Sequence, residues 1–237
     1  MLGIVIPAHN EQDCIEDCLV AARRAARHPA LHGEEVEIVV VLDSCSDRTG
    51  LIATRQGVLP LHVRLRNVGA ARAAGAELAL ARGARWLAFT DADSRVQEDW
   101  LAEQLALQAD AVCGTVCVDD WTAHGEHAEL LRHHFAETYF DREGHRHIHG
   151  ANLGVSAAAY RLAGGFRHLA CSEDVALVEA LQACGAEIAW SARPRVVTSA
   201  RRHARAVGGF ADALLGAVAQ RLAAATAAGS AGAALPA

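Results

Sequence analysis

The sequence predicts an α/β domain built on a largely parallel central sheet. Short apolar runs alternate with amphipathic helical patterns through the first half of the chain, which is typical of βαβ units. The second of these runs, residues 36–43, is continuous enough to be buried on both faces, as in a parallel sheet. The length of 237 residues suits one domain of ordinary size.

The alternation can be followed element by element. The run LGIVIPA predicts the first strand, and the stripe formed by Ile15, Leu19 and Ala22 predicts an amphipathic helix after it. Ser46 or Asp47 is placed to cap the second helix. The predicted strands are 2–8, 36–43, 61–66, 85–93 and 111–118, and the predicted helices are 11–28, 46–57, 69–83 and 97–108.

The second half of the chain has a different character. Beyond Asp119 it is rich in histidine and has no strand period, so a helix followed by a mobile loop is predicted there. No internal repeat or clear linker is visible. We therefore predict one domain over 1–225, with halves 1–118 and 119–225, and a disordered low-complexity tail over 226–237.

Composition narrows the classes of function. The formal charge of -6 offers no basic surplus for a nucleic-acid backbone. All 22 basic residues are arginine, which argues against P-loop NTPases and Schiff-base enzymes, because both need a lysine. The start MLGIVIPAHNE has no basic leader, and seven cysteines without a secretory signal fit a reducing compartment. We therefore expect a cytoplasmic protein with unligated thiols.

Polar residues follow four successive predicted strands. In an open α/β sheet, ligands bind outside the carboxyl ends of the strands, so these residues are expected to share one cleft. Each has a structural alternative: a turn for Asp43, a helix cap for Asn10 and Glu11, a solvated helix position for Arg72, and a solvated turn for the aspartates. The residues are Pro7 to Glu11, Asp43, Arg72, and Asp91 with Asp93.

The aspartates of the run TDADS carry the most specific chemistry. Side chains two apart on an extended chain point to the same side, where Asp91 and Asp93 would repel each other unless a cation lay between them. Mg²⁺ or Mn²⁺ is commonly held by one or two carboxylates while substrate phosphates complete its coordination. The pattern therefore suggests a departing diphosphate that a divalent metal neutralises.

Two further features lie in the second half. Glu173 and Asp174 open a predicted helix after Ser172, where acidic residues are favoured by the helix dipole, and where one carboxylate would alternatively act as a general base. Seven histidines lie between residues 124 and 149, the first four on a predicted helix and the last three alternating on an extended piece. We interpret this segment as substrate-facing and mobile rather than as a metal site.

Taken in order, these motifs resemble the family 2 glycosyltransferases of GT-A fold. The resemblance covers roughly residues 1 to 185 and rests on IVIPAHNEQDCIEDCL, VVVLDSCSDRT, NVGAARAAG, WLAFTDADS, GANLGVSAAAYRLAGGF and SEDVAL. It implies a hexosyltransferase-type enzyme that moves a sugar from a UDP- or GDP-sugar to an acceptor hydroxyl, with inversion. It also implies a divalent metal, Mn²⁺ or Mg²⁺, and a glycan or lipid-linked acceptor, the latter reached from the inner face of a membrane. A homo-oligomer is compatible with the family, and a nucleic-acid partner is not expected.

The resemblance assigns roles to individual positions. It makes 1–118 the nucleotide-sugar half and 119–225 the acceptor half. Asp174 is expected to be the base, with Glu173 beside it, and Asp93 the direct metal ligand, with His203 as a candidate second ligand. Leu42 stands where the family usually has a first aspartate, so the choice of nucleotide stays open. The nucleotide-sugar site would comprise Pro7, Ala8, His9, Asn10, Glu11, Asp43, Arg72, Asp91, Ala92 and Asp93, and the sugar and acceptor site Gly150, Ala151 and Asn152.

Two other hypotheses remain open at this point. The run FTDADS also resembles the strand-end motif of haloacid dehalogenase-type phosphatases, whose first aspartate is a nucleophile. The missing lysine and the position of the motif ninety residues into the chain argue against that class. A non-catalytic nucleotide-sugar-binding protein is the other alternative. The segment 198–210, with Arg201, Arg202 and Arg205, is a candidate clamp for the diphosphate in either sugar-nucleotide hypothesis.

Overall fold

The chain folds around an eight-stranded mixed sheet. The computed structural model describes residues 1–169, 171–202 and 216. The strands run in the order β3-β2-β1-β4-β7-β6-β8-β5. They are β1 (Leu2–Ala8), β2 (Val36–Asp43), β3 (Leu59–Val63), β4 (Trp86–Phe89), β5 (Ser94–Val96), β6 (Ala111–Cys117), β7 (Leu153–Ser156) and β8 (Ile188–Thr198). The helices are α1 (Ile15–Ala25), α2 (Thr49–Arg55), α3 (Val68–Ala81), α4 (Trp100–Ala106), α5 (Ala128–Thr138), α6 (Ala157–Leu162) and α7 (Glu173–Ala183), with 3₁₀ turns at Pro29–Leu31 and Thr122–His127.

The first half of the sheet is parallel, as the sequence predicts. β1 lies between β2 and β4, and β2 pairs with β3, all in parallel register. β1 and β2 have the predicted bounds, because their apolar runs are buried on both faces and end at polar residues. The carboxyl ends of these four strands therefore meet at one edge, where a ligand is expected.

The second half of the sheet mixes directions, which the alternating pattern of the first half does not predict. β7 is antiparallel to both β4 and β6, and β5 is antiparallel to β8. β8 runs parallel to β6, with a shift in register between Cys113 and Thr115. Gly114 lies at this irregularity, where an added Cβ would collide with the side chain of Asn152. The fold class is confirmed, since six of the eight strands run in one direction and only β5 and β7 run in the other.

Helix α3 packs unusually close to the parallel strands. A Cβ added at Gly75 would lie 2.5 Å from Val5 Cγ1 and 2.7 Å from Val41 Cγ2. Most other residues on its buried side are alanines, which adds little bulk between helix and sheet. The small-residue composition of α3 therefore allows a close approach that also positions Arg72, which lies on the same helix.

Two compact units can be distinguished. The first comprises 1–119 and 141–199 and contains the whole sheet; the described part of the second comprises 120–140, 200–202 and 216. In the second, the ring centroid of Phe135 lies 5.7 Å from that of Trp121 and 4.5 Å from that of Tyr139. Gly125, at φ 54° and ψ -125°, breaks the segment into a 3₁₀ turn and α5, so the first four histidines do not share one helix as predicted.

None of the helices in the described part of the chain has the length and apolar character needed to cross a lipid bilayer.

The seven cysteines are free thiols, and Cys18 and Cys113 are buried. Burial, together with the charge of Asp174, raises the pKa of Cys113 to about 12, so this thiol is neutral at physiological pH. The predicted tail over 226–237 lies outside the described residues.

Candidate active site

Asp43 anchors the loop that follows β3. Its Oδ1 accepts hydrogen bonds from the backbone N–H groups of Leu65 (2.7 Å) and Arg66 (2.9 Å), and its Oδ2 accepts one from Asn67 (3.0 Å). The Ser44 hydroxyl donates a fourth bond at 3.0 Å. Burial raises the pKa of Asp43, but these donors outweigh burial and hold the pKa below its usual range. The carboxylate at the end of β2 is thus fixed as an anion that organises backbone.

The segment after β1 is fastened to the loop after β2. Asn10 Oδ1 accepts a bond from the Ser46 backbone N–H at 2.8 Å, and the Glu11 backbone N–H donates to Thr49 Oγ1 at 2.8 Å. His9 Nδ1 lies 2.6 Å from the backbone oxygen of Asp43. Residues 9–11 are therefore held against the loop after β2, and Glu11 is buried, with 6% of its surface exposed.

Left-handed backbone at non-glycine residues is concentrated at this edge of the sheet. Six non-glycine residues of the described chain have positive φ, and four of them lie in the loops that form the site. Such conformations cost about 1 kcal/mol or more each and persist where surrounding contacts impose them. The four are Asn10 (φ 54°), Ser44 (φ 55°), Arg66 (φ 47°) and Ser172 (φ 58°).

An open cavity of about 410 Å³ lies beside the Asp43 anchor. Two arginines contribute to its wall, and their guanidinium groups can donate hydrogen bonds to an electron-rich group. Its position beyond β2 and β3 is where an α/β sheet binds ligands. It is lined by Ser44, Cys45, Arg64, Leu65 and Arg66.

The two aspartates lie in a turn and not at the end of a strand. β4 ends at Phe89, and the Ser94 backbone N–H donates to the Asp91 carbonyl oxygen at 3.0 Å, which closes a tight turn before β5. The predicted strand 85–93 is therefore too long. The turn still brings Asp91 and Asp93 to the carboxyl edge of the sheet, because β4 runs parallel to β1.

Asp91 and Asp93 have different partners. Asp91 forms an ion pair with Arg72. Asp93 Oδ1 accepts a bond from the Ser94 hydroxyl at 3.3 Å, and its side chain is half-buried. Cys18 in α1 donates its thiol hydrogen to the Asp91 carbonyl oxygen at 3.3 Å, which helps to hold the turn in place.

Arg72 joins two motifs that are distant in sequence. Its guanidinium forms ion pairs with Asp91 and with Glu173, and Arg72 is only 3% exposed. Burial lowers the pKa of Arg72, but the charges of Asp91, Glu173 and Asp174 outweigh burial and raise it, so the group stays a cation. The predicted solvated alternative for Arg72 is therefore wrong.

Asp174 is held by backbone donors at the start of α7. Its Oδ2 accepts a bond from the Gly150 backbone N–H at 2.8 Å, and its Oδ1 accepts one from the Val175 backbone N–H at 2.8 Å. Each carboxylate oxygen can accept a further bond. Ser172 is the residue before the helix, and its side chain makes no capping bond.

Residues 150–152 contact two different regions: Gly150 lies in the site, and Asn152 lies in the interior of the sheet. Gly150 packs directly against Arg72, whereas the Asn152 side chain is fully buried. Asn152 Nδ2 donates to the carbonyl oxygens of Thr115 (2.6 Å) and Pro194 (2.8 Å), and its Oδ1 accepts a bond from Trp100 Nε1 (2.8 Å). In this arrangement, Asn152 ties β6, β8 and α4 together and offers a ligand no exposed surface.

The remaining predicted positions lie at the end of β1, in buried turns, or outside the described residues. Pro7 and Ala8 end β1, Ala8 accepting a bond from the Cys45 thiol, while Ala92 and Ala151 are buried. His203, Arg205 and the rest of 203–215 lie outside the described residues. No group of three or more His, Cys, Asp or Glu side chains converges on a metal position within the described part of the chain.

A comparison with known families decides the class of this protein. The family described as Glycosyl transferase family 2 matches residues 3–162, which is more than half of the chain. The chain belongs to glycosyl transferase family 2. The sequence has no significant match among proteins of curated function.

Solved structures confirm the GT-A fold of this family 2 chain. Staphylococcus aureus TarS 1-349 with UDP-GlcNAc has a TM-score of 0.63 at 15% identity, over 88% of this chain and 61% of that one. The Pyrobaculum calidifontis mannosyltransferase PcManGT with GDP-Man and Mn²⁺ has a TM-score of 0.62 at 18% identity, over 86% and 58%. Glucosyl-3-phosphoglycerate synthase of Mycobacterium tuberculosis, with Mn²⁺, UDP and glucosyl-3-phosphoglycerate, scores 0.57 at 16% identity, over 85% and 72%. The chain thus spans about three-fifths of the length of the first two.

Three histidines of this family 2 chain stand in a row beside the Gly150 segment. The ring centroids of His145 and His147 are 5.5 Å apart, and those of His147 and His149 are 6.0 Å apart. Burial, and then the neighbouring imidazoles, lower the pKa of His149 to about 4. The three alternating histidines therefore bring their rings into a stack.

Several contributors to the family 2 site are not among the predicted residues. Thr49, Arg64, Arg66 and Phe166 all line or support it, Phe166 with its ring centroid 5.9 Å from Arg72 Cζ. The sequence does not single out Arg64 and Arg66 as site residues, since the run RLR is equally typical of an exposed strand end.

Proposed function

We propose that this chain transfers a sugar from a nucleoside diphosphate sugar to an acceptor hydroxyl, with a divalent metal and with Asp174 as base. One observation carries the proposal. Asp91, of the aspartate turn, and Glu173, the neighbour of Asp174, meet on the same buried guanidinium of Arg72. The motif suited to a metal diphosphate and the motif suited to a base therefore belong to one site.

The residues present fit a hard divalent cation. Asp93, half-buried in the turn after β4, offers carboxylate oxygen, which suits Mn²⁺ or Mg²⁺ when substrate phosphates supply further ligands. When bound, the metal would neutralise charge on the departing diphosphate. In the structures with Mn²⁺, PcManGT carries GDP-Man and glucosyl-3-phosphoglycerate synthase carries UDP, which supports a metal here.

The chain's own groups would divide the remaining work. The cavity beside Asp43 would take the nucleotide, with Arg64 and Arg66 as donors. Asp174, fixed by two backbone N–H groups, would remove the proton of the acceptor hydroxyl while the acceptor oxygen attacks the anomeric carbon. A single displacement of this kind inverts that carbon. Residues 1–118 would supply most of the donor site, and later residues the acceptor site.

A direct assay tests the proposal. Purified protein is incubated with UDP- and GDP-sugars and Mn²⁺, and release of the nucleoside diphosphate is measured with and without an acceptor panel. We expect Asp93→Ala and Asp174→Asn each to lower turnover about 100-fold or more. Asp17→Asn, on the exposed side of α1, is the matched control and should retain wild-type turnover.

The outcomes separate the alternatives. Nucleotide binding without turnover for any donor and acceptor would favour the non-catalytic alternative. Unchanged turnover in both site variants would overturn the assigned roles. The phosphatase hypothesis finds no support in the family assignment or in the structural neighbours.

A further inference from the structure

Arg72 occupies an arrangement that is better suited to fixing other groups than to binding a ligand. Arg72 is 3% exposed and Glu173 is 5% exposed. One terminal nitrogen of the guanidinium, Nη1, donates to Glu173 on α7, and the other, Nη2, donates to Asp91 in the turn after β4. Both ends of the fork are thus engaged by carboxylates from different elements of the first unit.

We propose that Arg72 and Glu173 are positioning residues that fix the base Asp174 relative to the aspartate turn. This inference rests on the proposed function. It differs from the role that the family resemblance implies for Arg72, which is contact with the nucleotide. It also removes Glu173 from the candidate catalytic residues and gives it a role through its neighbour.

Close packing restricts the guanidinium to this position. A Cβ added at Gly150 would lie 2.5 Å from Arg72 Cζ, and one added at Gly69 would lie 2.9 Å from Glu173 Cβ. The ring centroid of Phe166 lies 5.9 Å from Arg72 Cζ. Arg72 Nε is buried without a hydrogen-bond partner among the described residues. An unpaired buried donor is costly, so the ionic contacts made by the other two nitrogens must outweigh that cost.

The Arg72–Glu173 pair is connected to Asp174 in two ways. Glu173 directly precedes Asp174 in the first turn of α7. Gly150, whose backbone packs on the guanidinium, donates the hydrogen bond that holds Asp174 Oδ2. Loss of the pair would therefore shift both the backbone that carries the base and the N–H group that orients it. A displacement of about 1 Å at a reacting group can lower a rate about 100-fold.

The kinetic test uses Glu173→Gln, which keeps the shape of the side chain and removes its charge, and Arg72→Lys, which keeps the charge and removes the fork. We expect both to lower kcat about tenfold or more and to change the affinity for UDP or GDP with Mn²⁺, measured by calorimetry, less than about threefold. Glu37→Gln, in the exposed Arg82–Glu37 pair, is the matched control and should leave both quantities unchanged.

Chemical rescue provides a readout that a purely structural role would not produce. Arg72→Ala should regain part of its kcat when guanidinium ion is added at millimolar concentration, since the free ion can enter the space between the two carboxylates. Tetramethylammonium, of the same charge but without N–H donors, should not restore kcat. If Arg72→Ala does not fold, Glu173→Gln remains the deciding variant.

An NMR measurement decides the inference even if the protein has no measurable turnover. The Gly150 and Val175 amide signals report on the bonds that hold Asp174. We expect Glu173→Gln to move both signals and Glu37→Gln to leave them in place. The inference is overturned if these signals do not move, if kcat of Glu173→Gln is wild-type, or if nucleotide affinity falls in parallel with kcat. Absence of turnover in the wild type would instead count against the proposed function.

Discussion

At the scale of single residues, the site depends on charged side chains whose partners are already within the protein. Asp43 has four internal donors, and Arg72 has two carboxylate acceptors. A carboxylate bound by several N–H groups stays ionised and fixes those groups in return. These two residues therefore fix the positions of the backbone and side chains around them. A ligand would bind to those fixed groups.

Replacement of Asp43 by asparagine tests this arrangement. The amide keeps one accepting oxygen but turns N–H donors toward the Asn67 backbone N–H, so we expect a loss of about 2 kcal/mol in the free energy of unfolding at neutral pH. The lowered pKa means that the carboxylate stabilises the fold above its unfolded pKa of about 4, and that this contribution disappears as the pH falls through the folded pKa below that value.

Urea unfolding at neutral pH and at about pH 3 measures the effect. The difference between wild type and Asp43→Asn should be large at neutral pH and smaller in acid. Asp17→Asn, whose carboxylate is exposed, serves as the control. A difference between wild type and Asp43→Asn that stays constant over this range would show that the charge of Asp43 contributes nothing to stability.

Residue type and order along the chain predict which positions come together, but not what each one contacts. Asp43, Arg72, Asp91 and Glu173 are all predicted site residues, because parallel strand ends and a helix start converge in this fold. The partners could not be predicted, since they depend on three-dimensional proximity: Asp43 bonds a loop 22 to 24 residues away, and Arg72 bonds a carboxylate 101 residues away. Asn152 shows the same limit, because its polar side chain faces the sheet interior.

At the scale of elements, the parallel strands and their helices follow directly from local patterns. β1 and β2 match their predicted bounds because burial on both faces requires unbroken apolar runs. β5, β7 and β8 are short or polar-interrupted, and their pairings join segments that are far apart in sequence. Local periodicity carries no information about such pairing, which is why the mixed half of the sheet was not predicted.

Gly75 offers a test at this scale. Alanine at this position would favour the helix by about 1 kcal/mol on propensity alone. Its Cβ, however, would press against Val5 and Val41, and overpacking of this kind costs about 1 to 3 kcal/mol. We expect Gly75→Ala to lower the free energy of unfolding. Gly50→Ala in α2 is the control, because its Cβ would meet a leucine methyl at 3.3 Å and should be near neutral. Equal stability of the two variants by urea unfolding would contradict the close packing of α3.

At the scale of the whole molecule, topology places the donors of the cleft before any ligand arrives. β1, β2, β3 and β4 are parallel neighbours, so the loops after them share one edge. The strained residues Asn10, Ser44 and Arg66 all belong to these loops. Because the hydrogen bonds of Asp43 and Asn10 already hold this backbone, little ordering should be needed on binding, which favours affinity.

Ligand binding to a preformed cleft should therefore raise the stability of the whole chain. At a nucleotide concentration about 100 times Kd, the expected gain is about 2.7 kcal/mol. For a chain of this size each kcal/mol raises Tm by about 2 to 4 °C. A thermal-shift series with UDP, GDP and their sugars, with and without Mn²⁺, measures this gain. Asp93→Asn should lose the Mn²⁺-dependent part of the shift, and Arg64→Ala the nucleotide-dependent part, because Arg64 lines the cavity. A Tm that no nucleotide changes would rule out the strand-end cleft as a nucleotide site.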